Sequence, residues 1–191
     1  MYSSKIVVPA IRSISDYQRL GLLELGRFAE SNQLTAKREV EVAGTRFLLD
    51  RLLNGEPFTL RYTDHNKPFL AGRNERISIS HSHDYLAILV NERAETGVDI
   101  ELIRDKVLRI RHKFLNSEEQ NFAGENLEKL ISMWAAKEAM YKDLLDNEAL
   151  PDFRTGLGGD IHQQLVQNRS ARPVGDRAAP VSRTWGSADF K

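Results

Sequence analysis

Residues 77–101 constrain the fold more than any other stretch of this 191-residue chain. Ile77 and Ile79 alternate with serines, a polar break follows over Ser80-His81-Ser82-His83-Asp84, and Tyr85 to Val90 form an apolar run. Alternation with period two, then an apolar run bounded by polar residues, predicts two strands. After the turn residues Asn91 to Thr96, Gly97-Val98-Asp99-Ile100-Glu101 is predicted as a further strand that completes an antiparallel run.

Around this centre the periodicity is mixed. Ile6 to Val8 read as a short strand stopped by Pro9, and Ser15 as the N-cap of a helix from about Asp16 to Glu30. From Thr35 as N-cap, Val40, Ala43, Phe47, Leu48 and Leu52 recur at helical spacing until Asn54-Gly55. Phe58 to Tyr62 alternate as a strand, and Asp64-His65-Asn66-Lys67-Pro68 reads as a turn. Three helices are predicted at residues 106–112, 117–122 and 127–145, the last with Leu127, Leu130, Ile131 and Trp134 on one stripe. Strands and helices are grouped rather than alternating, which points to an α+β fold.

Composition removes several functional classes. Lys plus Arg and Asp plus Glu both number 27, so net charge is zero and nothing in the bulk electrostatics favours a nucleic acid. Any charged partner has to be met by a local patch, the densest being Arg104, Lys106, Arg109, Arg111, His112 and Lys113. A solvated helical face explains the same run equally well. There are no cysteines, hence no disulfide, thiolate metal site or cysteine nucleophile. No apolar stretch approaches the roughly 18 residues of a membrane span, and a cytoplasmic protein is expected.

Asp99 and Glu101 are two apart on a predicted strand, so their side chains leave one face and could share a hard cation. Taken alone, such a pair is more often a solvated face than a metal site. Trp134, Glu138 and Lys142 step by four along the last helix, with Lys137 and Tyr141 on the adjacent stripe. Glu138 to Lys142 is also the spacing of a routine surface pair, but Trp134 and Leu130 mark the stripe as partly buried, where a carboxylate needs a cation or donors. If this helix packs on Asp99 and Glu101, three carboxylates converge and suit Mg²⁺ with a phosphorylated ligand. His81 and His83 lack a third ligand for zinc.

Ile79-Ser80-His81-Ser82, Gly97-Val98-Asp99-Ile100-Glu101 and Trp134-x-x-Lys137-Glu138-Ala139-x-x-Lys142, in that order, resemble the 4'-phosphopantetheinyl transferase superfamily, closest to its surfactin-type branch. Asn66-Lys67-Pro68-Phe69-Leu70 resembles that branch's Gly-Lys-Pro segment with Asn for Gly, and Phe114-Leu115-Asn116-Ser117-Glu118-Glu119 resembles its Phe-Phe-Ser-x-x-Glu element. Arg38 matches the family's coenzyme-A-binding arginine.

The resemblance implies a pseudo-twofold pair of similar α+β halves that bind coenzyme A and Mg²⁺ in the cleft between them. Residues 1–95 would form the first half and 96–153 the second, which carries the metal residues. Asp99, Glu101 and Glu138 would hold Mg²⁺; Ser80, His81 and Arg38 would contact the 3'-phosphate of coenzyme A; Lys67 and Pro68 would lie near its adenine. Lys137 and Lys142 would line the phosphate and pantetheine path, and Glu138 or Lys142 would take a proton. The implied reaction moves 4'-phosphopantetheine to a serine of an acidic acyl or peptidyl carrier protein, by a monomer that contacts neither nucleic acid nor membrane. Residues 154–191 look atypical: Glu148 is the last of 15 glutamates, glycines and prolines are frequent, and no period is sustained. A poorly ordered tail, a loop-rich end and a stretch translated outside its original frame all account for it. With such an end, a coenzyme-A- or carrier-binding module without turnover is the alternative.

Overall fold

The computed structural model describes residues 7–144. By their contacts they form two compact units, one of residues 7–102 with 138–144 and one of residues 103–137.

In the first unit, β1 (Ala10–Ser15) turns at Asp16-Tyr17 into β2 (Gln18–Glu24), and α1 (Leu25–Asn32) follows. Two sequence expectations fail here. Val7 and Val8 are irregular and Ile6 lies outside the described residues, so the strand begins beyond Pro9; and residues 18–24 are strand rather than helix. The leucines of this stretch are good helix formers, but helix propensity is a weak term. β2 lies between two partners, pairing with β1 on one side and on the other with β6 (Tyr85–Asn91) from Gln18↔Asn91 to Glu24↔Tyr85. Its buried positions, Gly21 and Leu23, repeat at the strand's period of two.

α2 (Lys37–Leu52) packs across β2 and β6, with Ala36 rather than Thr35 in the N-cap position. The helix approaches closely because Gly21 has no side chain: a Cβ there would lie 2.8 Å from Leu48 Cδ1. β3 (Leu60–Tyr62) is shorter than predicted and pairs with β4 (Pro68–Leu70). β5 (Arg76–Ser82) and β6 form a hairpin about His83-Asp84, so the polar residues Ser80 to Ser82 continue the strand instead of breaking it. The four-stranded antiparallel sheet has the order β1-β2-β6-β5. Leu23, Phe28, Leu48, Leu49, Leu52, Ile77, Leu86, Ile88 and Val90 form the core between this sheet and the helices.

The predicted strand at residues 97–101 is not one. The segment is irregular, and it is held by serine side chains instead of a backbone ladder.

The second unit contains α3 (Lys106–Ile110), a 3₁₀ turn (Arg111–Lys113), α4 (Ser117–Ala123) and the first part of α5 (Leu127–Leu144). Its core is Val107, Phe114, Leu115, Ala123 and Leu130, with Trp134 edge-on to Phe114 at 4.8 Å between ring centroids. The three predicted helices are present; Leu145, and the tail expected to be atypical, lie outside the described residues. The architecture is mixed α+β, as the grouping of elements predicts. Among the described residues no helix is long and apolar enough to cross a membrane.

Candidate functional site

Alternation along β5 puts Ser78, Ser80 and Ser82 on the face opposite the core-packed Ile77 and Ile79. All three serines bond to the segment 98–101. Ser78 Oγ accepts the Val98 N–H at 2.9 Å and Ser80 Oγ accepts the Ile100 N–H at 3.3 Å. Ser80 donates to Asp99 Oδ1 at 2.8 Å, and Ser82 to Glu101 Oε2 at 3.2 Å. Both carboxylates therefore point to the serine face of β5, the common direction their spacing predicts.

The end of α5 approaches the same segment. Gly97 makes this possible, since a Cβ on it would fall 1.8 Å from the Ala139 carbonyl oxygen. One turn further on, the Lys142 ammonium donates to Asp99 Oδ1 at 2.5 Å, to Ser80 Oγ at 3.1 Å and to the Val98 carbonyl at 3.1 Å. Those are all the protons an ammonium has.

Asp99 is consequently loaded on one side only. Its side chain is 6% exposed, Oδ1 accepts from both Ser80 and Lys142, and Oδ2 is buried with no hydrogen bond from any described residue. A buried carboxylate oxygen left without a donor is costly, and a hard cation is the partner that suits it. With exposed Glu101 alongside, the donor set is all oxygen and fits Mg²⁺ in kind. Asp99, Glu101 and Glu138 do not gather into a three-ligand cluster, and no such group of His, Cys, Asp or Glu occurs among the described residues. The last turns of α5 bring Lys142, not a third acid, onto Asp99.

The other expected ligand contacts distribute as follows. Arg38 is exposed in the first turn of α2. One turn along, Glu41 Oε1 stands 3.8 Å from His81 Nδ1 and 3.8 Å from Lys37 Nζ, so the start of α2 and the end of β5 adjoin. Lys67 is only 7% exposed, and its ammonium pairs with Glu95 at 2.8 Å and donates to the Asp143 carbonyl at 3.0 Å. Pro68 opens β4 immediately after it. Asn66, where the resembled segment has Gly, adopts φ 60°, a left-handed conformation that Asn tolerates better than most residues.

Lys137 belongs to the second unit. Its ammonium donates to Glu119 Oε2 at 2.7 Å and to the Phe114 carbonyl at 2.8 Å. Glu119 also closes a capping box with Asn116 at the start of α4. Burial pushes the Glu119 carboxyl up, but the Lys137 hydrogen bond, the Asn116 N–H and the charge of Lys137 outweigh it and hold the carboxyl below its usual range. In the basic run, Arg111 caps the C-terminus of α4 through the Gly124 carbonyl at 2.9 Å.

Sequence reasoning overlooked Ser78 and the carboxylate-gripping role of Ser82. The signal was present: serines at every second position of β5 match residues about 20 further on, a register visible only once the segment is known to lie on that face.

These features define an α+β protein in which serines of β5 and Lys142 brace the carboxylates of residues 99 and 101. Residues 95–174 match the family model of the 4'-phosphopantetheinyl transferase superfamily. The matched stretch contains Asp99, Glu101, Lys137, Glu138 and Lys142, runs into the segment expected to be atypical, and is similar to transferases of that superfamily. No curated protein matches the chain.

Proposed function

We propose that this protein transfers 4'-phosphopantetheine from coenzyme A to a serine hydroxyl of an acidic acyl or peptidyl carrier protein, with Mg²⁺, in the manner of the surfactin-type branch. The observation that carries the reading is Asp99, whose buried Oδ2 lacks a donor near the start of the stretch similar to the superfamily. Asp99 and Glu101 would hold the Mg²⁺, with Glu138 as a third ligand although the three acids do not gather among the described residues; the ion when bound neutralises charge on the pyrophosphate and on departing 3',5'-ADP. Arg38 and His81 face the 3'-phosphate, and the Lys67-Pro68 turn lies at the adenine. Lys142 supplies a fixed positive charge beside the transferring phosphoryl group. Because its protons are all engaged, Glu138 is the better acceptor for the serine proton. Arg104, Lys106, Arg109, His112 and Lys113 meet the acidic carrier.

A second reading, a coenzyme-A- or carrier-binding module without turnover, is favoured by the ion pair that already neutralises Asp99. The intact mass of an apo carrier protein after incubation with this protein, coenzyme A and Mg²⁺ separates the two. A gain of one phosphopantetheine, abolished by EDTA and by Glu138→Gln, is expected. Coenzyme A binding with no mass gain on several unrelated carriers would establish the module instead.

A further inference from the structure

The Ser80 hydroxyl is fully committed. It has one proton, given to Asp99 Oδ1, and two lone pairs, taken by the Ile100 N–H and the Lys142 ammonium. Nothing is left with which to hold a phosphate unless one of these bonds is broken, and the residue is 6% exposed. What those bonds accomplish is directional. Ser80 and Lys142 both engage Oδ1, which leaves the other oxygen of Asp99 without a hydrogen bond from any described residue. Ser78, one step back on the same face, performs only the backbone half of this task, accepting the Val98 N–H.

We infer that Ser80 is a positioning residue for the cation site, whose hydroxyl presents Asp99 Oδ2 to the metal, and that it is not a ligand of the coenzyme A phosphate. The inference rests on the Mg²⁺-dependent transfer reading and adds a distinct role to it. Partners that orient a metal-ligating carboxylate typically change metal affinity tenfold or more when removed. Removing a serine that only anchors backbone costs stability and leaves metal affinity alone.

The test is Mn²⁺ binding to the full-length protein by calorimetry, without coenzyme A, for wild type, Ser80→Ala, Ser80→Thr and Ser78→Ala, alongside each variant's Tm and its Kd for coenzyme A. Ser80→Ala is expected to weaken Mn²⁺ binding about tenfold, and Ser80→Thr, which keeps the hydroxyl, to restore most of it. Ser78→Ala is expected to lower Tm while keeping the Mn²⁺ constant within about twofold. Three outcomes would overturn the inference: wild-type Mn²⁺ affinity in Ser80→Ala, equal Mn²⁺ losses in the two alanine variants, or a rise confined to the Kd for coenzyme A. A wild-type protein that modifies a carrier while Ser80→Ala binds Mn²⁺ normally sinks this inference alone. A wild-type protein that binds no Mn²⁺ sinks the metal part of the transfer reading with it.

Discussion

Gly97 stands where backbone meets backbone. A side chain at this position would enter the Ala139 carbonyl oxygen and stand 2.7 Å from its carbon, and neither atom can rotate aside as the end of a side chain can. The close approach brings Lys142 to Asp99, so the absence of one Cβ serves both packing and the site. Gly97→Ala is expected to destabilise the fold by about 3 kcal/mol or more, read as a drop in the urea midpoint. Asp99 Oδ2 should lose its setting as well, so folded Gly97→Ala protein at low temperature should bind Mn²⁺ more weakly than wild type. Unchanged stability would mean the segment does not approach α5. The sequence singled out this glycine as part of a motif, but its reason became visible only when α5 was in place.

At the scale of elements, α4 and the start of α5 show how a short motif can be mainly structural. Phe114 fills the second core, Asn116 and Glu119 cap α4, and Lys137 bonds Glu119. Here the expectation that Lys137 lines a phosphate path meets a residue already engaged in stitching two helices. Because the folded Glu119 carboxyl lies below its ordinary value, its contribution is complete above the unfolded pKa and is lost as pH falls through the lowered folded one. The stability gap between wild type and Lys137→Met should therefore narrow as pH falls from about 6 to about 3. It should not close fully, since the bond to the Phe114 carbonyl does not titrate with Glu119. Thermal melts across that range provide the check, and a gap independent of pH would show that the Glu119 pairing contributes nothing. Helices such as α4 were legible in the sequence because caps and apolar period lie within a few residues of one another. β2 was not, because its strand character depends on β1 and β6.

For the whole molecule, equal numbers of acidic and basic residues leave little mutual repulsion at neutral pH. Solubility and the second virial coefficient from light scattering should pass through a minimum near pH 7 and rise towards about pH 5 and pH 9; a monotonic trend would contradict this. The amino-acid sequence by itself determined the α+β class, the helices of the second unit and the serine-isoleucine alternation of β5, because period, caps and residue type are local properties. Only the tertiary structure decided that residues 18–24 extend between two strands, that residues 97–101 hang from serine hydroxyls, and that Lys142 occupies one side of Asp99. The physical reason is that each of these rests on partners dozens of residues away. A leucine-rich stretch satisfies helix or strand equally until a neighbour supplies the missing hydrogen bonds, and a carboxylate does not choose its cation until the chain has folded around it.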